Sequence, residues 1–247
     1  MGRWSQLGPG LLFAGAAIGT SHLVQATRAG ALYGLGLLLF VLFANALKYP
    51  SFRAGPAYAA ATGHSLLTGY RRQGSWALAL IVLTQLPVHV IILAASAVTC
   101  AGLLGALGIE LPLGTPSVAA LLLLLAFGLV RAGGLQGVMH LSRLFITLLT
   151  VTTVLATLLA VPHVEWTSHA LAFPAYDTSL LFFLVALLGL MPSALDLSIL
   201  HSLWAVAAPD RSRDFASALF DFKVGYIGSA VLAGCFVVMG AGVMHSA

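Results

Sequence analysis

The sequence predicts an all-α, polytopic membrane protein, and three observations carry that prediction. Of 247 residues, 60% are hydrophobic and only 7% are charged, with a mean hydropathy of +1.02. A soluble domain needs far more charge to cover its surface. The apolar residues also fall in long runs rather than alternating, and runs of ~20 residues are what a helix needs to cross the hydrocarbon core.

About seven spans follow from those runs. They cover Gly8 to Ala29, Leu32 to Ala61, Trp76 to Leu107, Pro116 to Val130, Leu135 to Val161, Thr178 to Ala207 and Phe215 to Met244. The second, third, sixth and seventh exceed the length a span requires, so they tilt or extend beyond the membrane. The basic residues stand singly between apolar runs, which argues against nucleic acid and reads as a topology signal. With the N-terminus in the cytoplasm, the inner segments hold Arg3, Lys48, Arg53, Arg71, Arg72, Arg131, Arg143, Arg211 and Arg213. The outer segments then hold Arg28 with the acids Glu110, Glu165 and Asp177. That asymmetry predicts an integral protein of the plasma (inner) membrane with a cytoplasmic N-terminus and, after seven spans, an outer C-terminus. No cleavable signal peptide is expected after Arg3. Cys100 and Cys235 lie in apolar runs and read as small hydrophobes. The outer loop from Pro162 to Asp177 offers Trp166, Phe173 and Tyr176 as headgroup anchors, with His163 and His169 as solvated neighbours.

Two spans are interrupted in the middle. In the first, Gly10 to Ile18 runs into Gly19-Thr20-Ser21-His22, and in the sixth, Leu187 to Met191 runs into Pro192-Ser193-Ala194. Glycine and proline weaken helical hydrogen bonding, and carbonyls freed at membrane depth are tolerated only where protein or a wet cavity receives them. Such carbonyls suit a cation, and breaks in spans one and six occupy corresponding positions of a five-plus-five inverted repeat. The alternative is a pair of kinked helices with no ligand.

Asp196 is the acid in the central part of the sixth span, five residues past Met191. An intramembrane carboxylate is costly unless paired, hydrated or protonated, so it is a candidate ion ligand or proton carrier. His201 follows it, off the i, i+4 register. His22, with Thr20, Ser21 and Gln25, forms the polar side of the first break and is a second proton-path candidate. In the third span Gln85 and His89 flank Pro87 and are further candidates for a polar path. Asp221 and Lys223 open the seventh span on different faces, so at least one of them pairs elsewhere. A Ser/His/Asp hydrolase is not expected, because no nucleophile elbow accompanies these residues.

Gly8-Pro-Gly-Leu-Leu-Phe-Ala-Gly-Ala-Ala-Ile followed by a break resembles the first helix of the Nramp family of divalent-metal transporters. Met191-Pro192 resembles its sixth helix, and Lys48-Tyr-Pro-Ser-Phe-Arg with Thr62-Gly-His-Ser-Leu-Leu-Thr-Gly-Tyr is similar to its second helix and the loop after it. The resemblance covers nearly the whole chain. It implies a LeuT-type fold of two five-helix repeats, the first over residues 8–161 and the start of the second over 178–244, in one transmembrane domain, 1–247. Relative to that fold the chain is incomplete, so C-terminal helices or a second chain would complete it. The family's Asp-Pro-Gly-Asn is replaced by Gly19-Thr20-Ser21-His22, its Met-Pro-His by Met191-Pro192-Ser193, and the acids of its third helix by the residues around Gln85.

The resemblance therefore implies a divergent subgroup. The expected function is secondary transport of a divalent metal cation, with proton coupling, not enzymatic catalysis. The ion is expected at Gly19, Thr20, Ser21, His22, Leu190, Met191 and Asp196, with Met191 and Asp196 as metal ligands. Proton-path candidates are His22, Asp196, His201, Gln85 and His89. The metal is cargo, no resident cofactor is expected, and the partners are the lipid bilayer and the ion. A LeuT-type carrier of a small organic solute and a non-transporting protein on the same scaffold are the alternatives.

Overall fold

The structure, a computed structural model, describes residues 8–19, 21–109, 112–166, 170–208 and 214–245. Thr20, a predicted site residue, lies outside them, as do Arg3, Glu110, His169, Arg211 and Arg213. The described residues are helical and contain no strand: α1 (Pro9–Ala17), a π-helical segment (Ser21–Ala26), α2 (Thr27–Tyr33), α3 (Leu38–Thr62), α4 (Leu66–Gln73), α5 (Ser75–Ala106), α6 (Thr115–Ala160), a 3-10 turn (Val161–His163), α7 (Thr178–Leu190), α8 (Asp196–Ala207) and α9 (Phe215–Val243).

Among the described residues, four helices are long and apolar enough to cross a membrane: Ser75–Ala106, Thr115–Gly134, Gln136–His163 and Phe215–Val243. They coincide with the third, fourth, fifth and seventh expected spans. The second is a continuous helix, α3, carrying Lys48 and Arg53, and the first and sixth are divided into shorter pieces. The second begins at Leu38 rather than Leu32, because Gly34 (φ 57°) ends α2 in a conformation open to glycine. Between the fourth and fifth, no loop is inserted. α6 turns on a single residue, Gly134 (φ 55°, ψ −167°), which glycine again permits. The segment around Arg71 and Arg72, expected as loop, is the short helix α4, half-buried up to Tyr70, with both arginines exposed in its last turn, where they favour the helix dipole.

The chain divides into two units, residues 1–65 with 142–247, and residues 66–141. In the second, Ala97 and Ala101 of α5 pack on Val118 and Ala119 of α6. Much of the rest of α5 is apolar and exposed, Leu83 at 74% among it, as a lipid-facing helix requires.

The first unit holds the broken helices. Here α1 and α2 pack along α9, with glycine where the backbones come closest. A Cβ on Gly225 would lie 2.0 Å from the Gly10 carbonyl, and one on Gly30 would lie 2.0 Å from that of Val237. Glycine at these crossings lets the backbones approach, the usual route to tight packing where lipid offers no hydrophobic drive. Asp221 of α9 caps α1: its carboxylate accepts from the Gly8 N–H (3.0 Å) and the Gly10 N–H (2.7 Å). The first N–H groups of a helix have no intrahelical partner, so a buried carboxylate there is stabilised by the groups it satisfies. This places the partner that Asp221 needed. The starts of α7 and α9 are capped by the side chains of Asp177 and Asp214. The Leu180 N–H and the Ser179 hydroxyl hold the Asp177 carboxyl below the usual carboxylate range, and the Ser217 N–H and hydroxyl do the same for Asp214.

Beneath the caps lie two apolar clusters. One gathers Ile18, Leu37, Val41, Leu180, Leu187, Met191, Phe236 and Val237. The other is aromatic, built from Phe13, Phe52, Phe222 and Tyr226 with Leu197. The Tyr226 hydroxyl donates to the Asn45 carbonyl (2.6 Å) and ties α9 to α3.

Candidate functional site

Both interruptions read from the sequence are present, and they meet. α1 ends at Ala17, and the chain re-forms helix in the π register from Ser21. α7 ends at Leu190, residues 191–195 are non-helical, and α8 begins at Asp196. Pro192 forces part of this, since it has no N–H for the Leu188 carbonyl one turn earlier. The Ser21 hydroxyl lies 3.0 Å from the Pro192 carbonyl, and also against that of Ala17, so one side chain links the two breaks.

His22 extends the link to a third element. Its Nδ1 is 2.8 Å from Ser21 Oγ and its Nε2 is 2.9 Å from the Ser229 carbonyl of α9. A carbonyl only accepts, so Nε2 carries a proton. In neutral imidazole Nδ1 is then an acceptor, and it shares the Ser21 hydroxyl with the Ala17 and Pro192 carbonyls. The Phe236 ring stands edge-on at 6.5 Å. Ser21 and His22 are buried, His22 fully.

The other predicted residues are distributed as follows. The Gly19 carbonyl is not free: it accepts from the His22 N–H (3.3 Å) and the Leu23 N–H (3.1 Å). Leu190 is the last residue of α7. Met191 is fully buried, and its thioether belongs to the apolar cluster with Leu187 and Ile18. Asp196 is buried at the first residue of α8, where the positive end of the helix dipole favours a carboxylate. His201 is buried in the aromatic cluster, with the Phe13 ring centroid at 5.6 Å and that of Phe222 at 5.8 Å, and its Nδ1 has no hydrogen-bond partner. Gln85 and His89 belong to α5 of the other unit, where His89 is exposed and the Gln85 amide reaches Thr84 (3.4 Å). Among the described residues no three His, Cys, Asp or Glu side chains gather as a metal cage.

Sequence reasoning missed Lys48. Read as a topology charge, it instead sends its ammonium from α3 to the second break, donating to the carbonyls of Gly189 (2.8 Å) and Ser193 (3.3 Å). The available signal was a lone lysine in the middle of an otherwise apolar run, a position that is costly unless the charge is received. Ser229 was missed for a different reason: the contact uses its backbone carbonyl, which no residue type marks.

No family model matches the chain, and no solved structure matches it. The chain is 34% identical over 250 residues to an uncharacterized protein of Pasteurella multocida. The match takes in 98% of this chain and 57% of that protein, so the chain spans little more than half the length of the relative.

Proposed function

We propose that this protein is a LeuT-type secondary transporter of a small cation, with about seven membrane-crossing helices and a cytoplasmic N-terminus. Its cargo in this reading is a divalent metal ion, moved with protons through the paired breaks. One observation carries the reading: two broken helices turn their breaks toward each other, joined by Ser21 and Pro192. Irregular backbone at membrane depth is a cost that ordinary helix packing does not require. Ser21, His22, Met191 and Pro192 are buried where the breaks meet, while Ser193 and Ala194 are half-buried and Leu195 is exposed. Met191 and Asp196 stand at the two ends of the second break and are the side chains offered to a metal.

Lys48 supports a second reading. An ammonium beside the break repels a divalent cation and favours a carboxylate, so a small organic acid or amino acid is the alternative cargo.

Uptake by the natural gene product in proteoliposomes tests both. Isotopic manganese should accumulate faster with an inward proton gradient. Asp196→Asn, which keeps shape and hydrogen-bonding capacity, should insert normally and lose uptake or its dependence on the gradient. No metal uptake, with saturable uptake of a carboxylate solute, would replace the first reading by the second. Orientation is tested separately. A cysteine at Glu165 should react with an impermeant reagent in intact cells and one at Arg72 should not, and the reverse pattern would invert the topology.

A further inference from the structure

We propose that the end of α7 is a monovalent-cation seat whose native occupant is the protein's own Lys48 ammonium. The last carbonyls of a helix have no intrahelical N–H to receive, and Pro192 withholds one N–H more. Lys48 fills the vacancy from a helix distant in sequence. It touches carbonyls on both sides of the break, Gly189 before it and Ser193 after it. That is the arrangement by which unwound backbone holds a small ion at a broken helix. It differs from an ordinary helix cap, in which a basic side chain of the last turn covers carbonyls of its own helix. Among the described residues no carboxylate pairs with Lys48, so its charge is received by the backbone dipoles alone. Carbonyls are neutral acceptors, and their ligand is identified by chemistry: a small monovalent cation able to make at least two contacts with oxygen, of the size of ammonium, sodium or potassium. The seat does not depend on what the protein transports, and a stability measurement decides it without a transport assay.

The predicted behaviour separates a replaceable ion from a structural lysine. The thermal midpoint of the purified protein in detergent is measured in ammonium, sodium, potassium and choline chlorides at one ionic strength. The wild type should melt at the same temperature in all four. Lys48→Ala should melt lower in choline and recover at least about half of the loss in one of the small cations, because an ion bound only to the folded state stabilises it by mass action. Lys48→Met keeps an apolar chain in the space and should stay low in every salt. A Lys48→Ala midpoint that responds no more than that of the wild type, or a Lys48→Met midpoint that recovers equally, would overturn the proposal. A second measurement needs no variant. Lys48 and Lys223 are the two lysines of the chain, and Lys223 is exposed. Reductive methylation of the folded wild type should modify Lys223 and spare Lys48. Equal rates would show that the ammonium is not seated and would overturn the proposal whether or not either variant can be purified.

Discussion

Gly225→Ala should lower the thermal midpoint of the protein sharply, while Gly228→Ala, on the same helix, should leave it unchanged or raise it. The difference lies in what a methyl group meets. On Gly225 it would stand 2.0 Å from the Gly10 carbonyl oxygen, and on Gly228 it would meet nothing within 4 Å. The obstacle at Gly225 is backbone, which cannot rotate aside, so α1 and α9 must separate. Overpacking of this kind costs about 1–3 kcal/mol, occasionally more. Here the movement also pulls Gly8 and Gly10 away from Asp221, leaving a buried carboxylate short of donors at a further ~1–3 kcal/mol. At Gly228 the exchange removes the backbone entropy of glycine and gains up to about 1 kcal/mol of helix propensity. Gly10→Ala should reproduce the Gly225 effect from the other side of the crossing, since its Cβ would lie 2.1 Å from the Asp221 carbonyl. Melting curves in one detergent compare the three. Equal midpoints for Gly225→Ala and Gly228→Ala would mean that the α1–α9 crossing does not hold the fold.

That crossing also shows where the sequence was informative. Long apolar runs stand out because lipid leaves no reason to alternate, so four spans coincide with long apolar helices. The breaks at Gly19–His22 and Met191–Ser193 were legible because glycine and proline act locally on the backbone. The kink at Gly134 was not, because a residue with positive φ can make either a loop or a bend, and the choice depends on what surrounds it. Partners were the least legible. Asp221, Lys48 and His22 all satisfy or are satisfied by backbone groups far away in the chain, on Gly8 and Gly10, on Gly189 and Ser193, and on Ser229. Every residue carries the same backbone groups, so composition and spacing carry no trace of such pairings. Charged side chains in an apolar run announce that a partner exists without saying where.

On the proposed transport function, His22→Gln should fold as well as the wild type and lose the response of uptake to a proton gradient. Neutral His22 donates from Nε2 to the Ser229 carbonyl and accepts the Ser21 proton at Nδ1. The single hydroxyl proton is then shared between Nδ1 and the carbonyls of Ala17 and Pro192, which the hydroxyl also faces. A proton arriving at Nδ1 reverses the order. The imidazolium donates to Ser21 Oγ, and the hydroxyl proton is released to the carbonyls alone, tightening the tie between the first break and the second. The groups placed against the ring, Ser21, Ser229 and Phe236, carry no charge, so the added proton acts through this chain of hydrogen bonds. Glutamine reproduces the neutral arrangement, with its amide N–H on Ser229 and its carbonyl oxygen on Ser21, but takes up no proton in the physiological range. It should therefore hold the structure and leave the Ser21 proton permanently shared. His22→Phe fills the space but removes the ring's bonds to Ser21 and to the Ser229 carbonyl, which keeps only its place in the helix, and should cost about 0.5–1.5 kcal/mol per bond in stability as well. Two measurements separate the roles: the thermal midpoint, and isotope uptake with and without an inward proton gradient. A purely structural His22 predicts that glutamine preserves both. A proton-carrying His22 predicts a preserved midpoint with uptake no longer stimulated by the gradient, and gradient-stimulated uptake by His22→Gln would exclude the imidazole from the coupling step.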